Sequence, residues 1–375
     1  MIPEQFEDIR SFTTEEIPAA MQLLVDDALI EKIIILVFGE NHVNEAKTIL
    51  RNIKNATELQ KKIMTQCKRW IVSNSMKSVE TQGLDTIQNG KPYLFTGNHR
   101  DITLDAFMLQ ISMIESGLDS CNIAFGSNLI LNKTIEIFSK ANKMFKVERS
   151  QNIRELAINS QHLSDYIRYL IKDGQTVWIA QRNGRTKDGF DKTEPGVLKM
   201  LAMSSDKDFI ENLAELNITP IAISYEYESC DFLKTQELYV SRYQKYVKAP
   251  NEDFNSILCG ITQPKGHVAM VVAPSITLEE LEKCSLFSKT ERFNCLAKII
   301  DRRIISNYKL FKNNYIAYDI LQGSGMFSAN YTNQEKQDFI GYMKNGLDRI
   351  EGDMDELTSI FLGIYANPVR NMLNI

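Results

Sequence analysis

Between residues 91 and 275 the chain alternates short β-rich runs with longer stretches of helical spacing, and this alternation narrows the fold more than any other feature. Tyr93-Leu94-Phe95-Thr96 is a short apolar run that ends in Gly97. Asn122-Ile123-Ala124-Phe125, Phe145 to Val147, Thr176-Val177-Trp178-Ile179-Ala180 and Ile218 to Tyr225 are further runs of this kind, and Val268 to Val272 is placed to close a sheet. Between them, Leu104 to Ile114 and Asn152 to Lys172 read as helices. Strands that alternate with helices imply an α/β layer with a largely parallel sheet. Pro220 has no backbone donor, so it is expected at the start of its strand or on a sheet edge.

The flanks read differently. Thr13-Thr14-Glu15-Glu16 is a helix start ahead of Leu23, Leu24, Ala28 and Leu29, and Leu59 to Val72 repeats that spacing. Toward the other end, Thr277-Leu278-Glu279-Glu280 has the form of a capping box, and Glu335 to Ile350 and Met354 to Tyr365 are further helices. The expected organisation is an N-terminal helical segment over 1–90, an α/β domain over 91–275 and a C-terminal helical segment over 276–375.

Composition excludes several classes. With 43% hydrophobic and 24% charged residues, the 375-residue chain has a globular balance. A net charge of -5 argues against non-specific nucleic-acid binding, so no nucleic-acid partner is expected. The six cysteines form no C-x-x-C pair and only four histidines could join them, which disfavours a zinc site. They read as reduced thiols of a cytosolic protein. The start, Met1 to Asp8, lacks the basic and apolar regions of a secretory signal. The longest apolar run, Ile33 to Phe38, falls far short of the roughly 18–20 residues that span a bilayer. Lys61-Lys62 with Lys68-Arg69 reads as a solvated helix face that could also touch anionic lipid.

Three segments carry candidate chemistry, each at the end of an expected strand. Asn98-His99-Arg100-Asp101-Ile102-Thr103-Leu104-Asp105 follows one strand and opens a helix, where open α/β sheets place reactive groups. A carboxylate beside His99 would fix the imidazole tautomer and stabilise the imidazolium formed when a hydroxyl proton is taken. From spacing alone, a helix-capping role for this block is an equal reading. His-Arg-Asp also occurs in protein kinase catalytic loops, but the position five after Asp101 is Ala106, where a kinase needs Asn, and no Asp-Phe-Gly follows. Phe145-Lys146-Val147-Glu148-Arg149 can present a guanidinium to a phosphate. Trp178 to Gly189 runs from a strand into a loop with Arg182, Asn183, Gly184, Arg185 and Lys187, whose glycine and cations suit a phosphate without forming a P-loop. His42, His162 and His267 read as structural or solvated, and Trp70 and Trp178 as core anchors.

In this order, the segments resemble the ordered blocks of the glycerolipid acyltransferase family, which includes glycerol-3-phosphate and lysophosphatidate acyltransferases. Asn98-His99-Arg100 with a following Asp resembles its catalytic block. Phe145 to Arg149 and Arg182-Asn183-Gly184-Arg185 resemble its acceptor-binding blocks, and Ile218 to Ile223 its apolar strand with proline. The similarity is greater to a bacterial subgroup of 1-acyl-glycerol-3-phosphate acyltransferases, at Asn98 to Asp105, Trp178 to Asp188, Ala222 to Leu233 and Tyr365-Ala366-Asn367-Pro368. Two positions depart from the family. Its catalytic block is His, four residues, then Asp, whereas Leu104 stands there and the candidate partners are Asp105 and Asp101. Its third block usually has Glu where Asn183 stands.

The resemblance implies an α/β acyltransferase-like sheet with flanking helices, and transfer of an acyl group from acyl-CoA or an acyl carrier protein thioester to lysophosphatidate. His99 would be the base, Asp105 or Asp101 its partner, and Arg100, Lys146, Arg149, Arg182, Asn183, Gly184, Arg185 and Lys187 the substrate-binding residues. Neither metal nor bound cofactor is expected. The lipid substrate implies a cytoplasmic protein on the inner face of the cell membrane. A glycerol-3-phosphate acyltransferase and a non-catalytic lipid-binding protein of the same fold are the alternatives; a phosphotransferase lacks its motifs.

Overall fold

A computed structural model describes residues 2–150 and 152–375. Its centre is a seven-stranded sheet in the order β1-β7-β6-β2-β5-β3-β4. The strands are β1 (Met76–Gln82), β2 (Leu94–Gly97), β3 (Asn122–Gly126), β4 (Met144–Val147), β5 (Val177–Ala180), β6 (Ile218–Tyr225) and β7 (Gly266–Val272). β2 to β6 all run the same way, so their carboxyl ends share one edge. β7 returns antiparallel to β6, and β1 runs parallel to β7. The sheet is therefore largely parallel, as the alternating pattern implies, with helices on both faces.

Strand alternation divides the core. Along β2, Leu94 belongs to a cluster with Tyr166, Leu170 and Ile300, while Phe95, on the opposite side, belongs to another with Leu109 and Met113. The first face is covered by helices Ile153–Lys172 and Glu291–Asn307, the second by helix Leu104–Glu115. The N-terminal helices form a further cluster that includes Met21, Leu59 and Ile111. The C-terminal helices Lys312–Gln322, Asn333–Leu347 and Met354–Leu373 form another around Phe339, Phe361 and Tyr365. The Thr277–Glu280 capping box is present.

Three sequence expectations change. Met76–Gln82, in a stretch read as helical, is an edge strand on β7; its polar residues gave no apolar alternation to see. Pro220 lies inside a central strand, not at its start or on an edge. In an antiparallel rung N–H and C=O of one residue face the same neighbour, and the Pro220 carbonyl accepts from Ala273 N just past β7. The missing donor thus falls where that ladder ends. Lys68, read as part of a solvated face, is buried, its ammonium on Ser112 Oγ and Glu115 Oε2 at 2.8 and 2.6 Å.

Candidate active site

At the end of β2 the chain turns away while Asn98 keeps the sheet joined. Its side chain donates to Ile223 O at 2.9 Å and accepts from Ile223 N at 2.8 Å, so an amide side chain supplies one more rung to β6. Residues 99–103 are thereby free to curl into helix Leu104–Glu115, which brings His99 to the carboxyl edge of the sheet.

Asp105, in the first turn of that helix, points back at the turn. Its Oδ2 lies 3.0 Å from His99 Nδ1 and accepts the backbone N–H of Arg100 at 2.7 Å and of Asp101 at 2.9 Å. Its Oδ1 accepts the Tyr225 hydroxyl at 2.8 Å. Burial pushes the Asp105 carboxyl above its ordinary range, against the pull of the His99 hydrogen bond and charge. The His99 side chain keeps 14% exposure while Asp105 keeps 3%, so the pair opens to solvent through the imidazole. With Nδ1 on the carboxylate, Nε2 is the nitrogen left for proton work. Trp178 meets the ring edge-on at 5.9 Å between centroids.

Asp101 is engaged elsewhere. Its Oδ1 accepts the N–H of Thr103 and of Leu104, both at 2.8 Å, which satisfies the helix start, and its Oδ2 accepts the Ser229 hydroxyl. Arg100, expected to face substrate, is corrected: its side chain is fully buried. It pairs with Asp191 at 2.5 Å and Glu228 at 3.2 Å, and its guanidinium stacks over Tyr308 at 5.2 Å. Lys234 completes this buried group by donating to Glu228 at 2.5 Å and to the Arg100 carbonyl at 2.7 Å. A guanidinium held between two carboxylates inside the protein fixes the turn, although its Nε is left without a partner.

The loop after β5 lies against the same turn. Gln181 N donates to Gly97 O at 3.0 Å and Thr186 N to His99 O at 2.6 Å. Arg182 Nε and Arg185 Nη1 are buried without a hydrogen-bond partner, while Arg185 Nη2 reaches Ser256 Oγ at 3.3 Å. Buried donors are normally satisfied, so open guanidinium nitrogens mark a place for an acceptor. Arg149 belongs to the same rim: its guanidinium lies over Gly126 at the end of β3, where a Cβ would sit 3.3 Å from Nε and 2.7 Å from Asn128 Oδ1. Asn128 in turn donates to Asp253 at 2.9 Å. Burial raises the Asp253 carboxyl, but Lys248, Asn128 and the Arg185 charge outweigh it and hold the group below its ordinary range.

Other expected binding residues are not drawn in. Lys146 sits on the edge strand β4 with its ammonium on Glu148 at 2.6 Å, lining a small cavity with Asp8 and Ile9. Lys187 is paired with Glu237. Asn183 is exposed and gives its backbone N–H to Glu194 at 3.1 Å. Gly184, at φ +76°, turns the chain between Arg182 and Arg185. The remaining histidines lie elsewhere, His42 on Glu45, His162 on Asp8 and His267 on Ser78.

The reading from sequence missed Tyr225, Ser229, Asp191, Glu228 and Lys234. Tyr225, Ser229 and Glu228 fall in the Ala222–Leu233 stretch, where a run of polar residues directly after an apolar strand was the available signal. The C-terminal helix also reaches the site. Asn367 Nδ2 donates to Asp188 O at 2.6 Å, and Gly189, at φ +83°, packs so tightly on the helix that a Cβ would lie 2.3 Å from Ile364 O. Pro368 cannot give the Ile364 carbonyl its usual helical donor, which leaves that carbonyl beside the glycine.

Residues 78–224 match the protein-family model described as Acyltransferase. No curated protein matches the chain. Among solved structures, the chain is similar to the 1-acyl-sn-glycerophosphate (LPA) acyltransferase PlsC from Thermotoga maritima, at 12% identity and a TM-score of 0.40, over 78% of this chain and 98% of that one.

Proposed function

We propose, from the match of residues 78–224 to the Acyltransferase family model, that the protein moves a fatty acyl group from a thioester, acyl-CoA or acyl carrier protein, to the free hydroxyl of lysophosphatidate. The observation that carries this reading is His99, its Nδ1 on Asp105 at 3.0 Å, next to a loop whose Arg182 and Arg185 hold buried nitrogens without partners.

His99 Nε2 takes the proton of the acceptor hydroxyl as its oxygen attacks the thioester carbonyl. The new C–O bond forms, the tetrahedral intermediate collapses with loss of the C–S bond, and the proton leaves with the thiol. Asp105 holds the imidazole in the working tautomer and stabilises the imidazolium between the two steps. Arg182, Arg185 and Arg149 hold the acceptor phosphate. Asp101 builds the turn that carries His99. No helix among the described residues is long and apolar enough to cross a membrane, and we propose that the protein meets its lipid at the cytoplasmic membrane surface.

The test is thiol release and product mass with acyl-CoA and with acyl carrier protein, offered lysophosphatidate and glycerol-3-phosphate in parallel. Phosphatidate formed from lysophosphatidate is the expected result. Acylation of glycerol-3-phosphate alone would reassign the acceptor. No transfer by folded protein would replace the enzymatic reading with that of a lipid-binding protein.

A further inference from the structure

The His99–Asp105 pair has a third partner just outside the matched family span. Tyr225 is the last residue of β6, one position past residue 224. It is 1% exposed, and its hydroxyl donates to Asp105 Oδ1 at 2.8 Å. The donors to this carboxylate are unequally shared: Oδ2 meets His99 and two backbone amides, whereas Tyr225 is the partner shown for Oδ1. A carboxylate anchored on one oxygen can swing about that anchor. One held on both cannot, and it shares its charge between two acceptor sites.

We propose that Tyr225 is a positioning residue for the acyl transfer: its hydroxyl fixes the plane of the Asp105 carboxylate, keeps Oδ2 on His99 Nδ1, and draws off part of the charge that would otherwise act on the imidazole. The inference rests on the acyl-transfer reading of the same site. Tyr225 is suited to donate, because burial, followed by the charges of Asp105 and Asp101, raises its phenol well above the usual value and keeps it protonated. The charged and titratable groups around Asp105 are His99 and Asp101 from its own turn, Tyr225 from β6, and, farther off, Tyr308 and the Arg100, Asp191, Glu228 and Lys234 group.

Tyr225→Phe removes one oxygen and keeps the ring. Without that donor the carboxylate holds more charge on Oδ2 and binds the imidazolium more tightly. The acidic limb of the kcat/KM profile then moves to higher pH, on the order of half a unit, and kcat falls roughly 10-fold with the KM of both substrates nearly unchanged. The His99 ring resonances, assigned with His99→Ala, should titrate with the same upward shift. In an Asp105→Asn background the second substitution should add nothing to the loss of kcat. An unmoved limb and an unmoved His99 titration would overturn the inference, as would full additivity with Asp105→Asn. If the wild type transfers no acyl group, the acyl-transfer reading fails by itself, and the His99 titration in the two proteins still decides whether Tyr225 acts on the pair.

Discussion

Asp105 and Asp231 are built alike and differ in one partner. Both are fully buried carboxylates held by tyrosine hydroxyls and backbone amides. Asp231 accepts from Tyr365 at 2.6 Å, Tyr342 at 2.9 Å, Gln263 at 2.8 Å and its neighbour Phe232 N at 2.8 Å. Burial pushes both carboxyls upward, Asp231 to about 6. The difference is the third kind of partner. Asp105 has an imidazole, a ring that can both accept and donate a proton, and that ring reaches solvent. Asp231 has only phenols and amides, which keep their protons. In the proposed reading, the Asp105 carboxylate serves proton transfer. The other is a joint that ties the chain after β6 to Gln263 and to two C-terminal helices.

The sharpest way to break this comparison is to exchange carboxylate for amide at each site. Asp105→Asn should lower turnover by roughly 10³- to 10⁴-fold, because the amide favours the wrong His99 tautomer, with KM little changed. Asp231→Asn should leave turnover of the folded protein within a few-fold. Equal losses at the two sites would end the distinction.

Asp231→Asn has its own signature in stability. The folded carboxyl is raised to about 6 from an ordinary value near 3.8, so the native state holds its proton where the unfolded chain has released it. The Asp231 contribution is thus fully present below about pH 4, is lost as pH rises through about 6, and amounts to about 3 kcal/mol at most. Urea unfolding of both proteins at pH 4 and pH 7 reads it: the wild type should lose more stability across that interval than Asp231→Asn. Equal losses would show that Asp231 keeps an ordinary carboxyl.

A smaller effect tests how the C-terminal helix reaches the site. Gly189→Ala places a methyl 2.3 Å from the Ile364 carbonyl at a positive φ, and should cost about 1–2 kcal/mol while raising the KM for the phosphate-bearing acceptor. Thermal unfolding and acceptor kinetics check the two parts.

Much of the sheet could be read from the chain because β2, β3, β5 and β6 are buried on both faces and appear as short apolar runs between helices. β1 could not, since Met-Lys-Ser-Val-Glu-Thr-Gln is a half-exposed edge and hydrogen-bonds to a strand almost 200 residues later. At the site, the His99 block and the two loop arginines stood out by position after strands. Arg100 looked like a ligand because nothing in the sequence shows that Asp191 and Glu228 will fold around it. The sequence favours Asp105 as the partner of His99, with Asp101 as its competitor; in the fold the first turn of a helix aims Asp105 back at His99, while Asp101 is taken by backbone donors. Contacts such as Asn367 on Asp188 join residues about 180 apart and leave no local pattern.

The most direct test of the central claim is acceptor-dependent thiol release by wild type and His99→Ala, both shown to be folded by their thermal transitions. Release that needs a lysophosphatidate-type acceptor in the wild type and falls by about 10³-fold or more in the variant is the expected result. Release that persists in His99→Ala at the wild-type rate would contradict the assignment of His99 as the base.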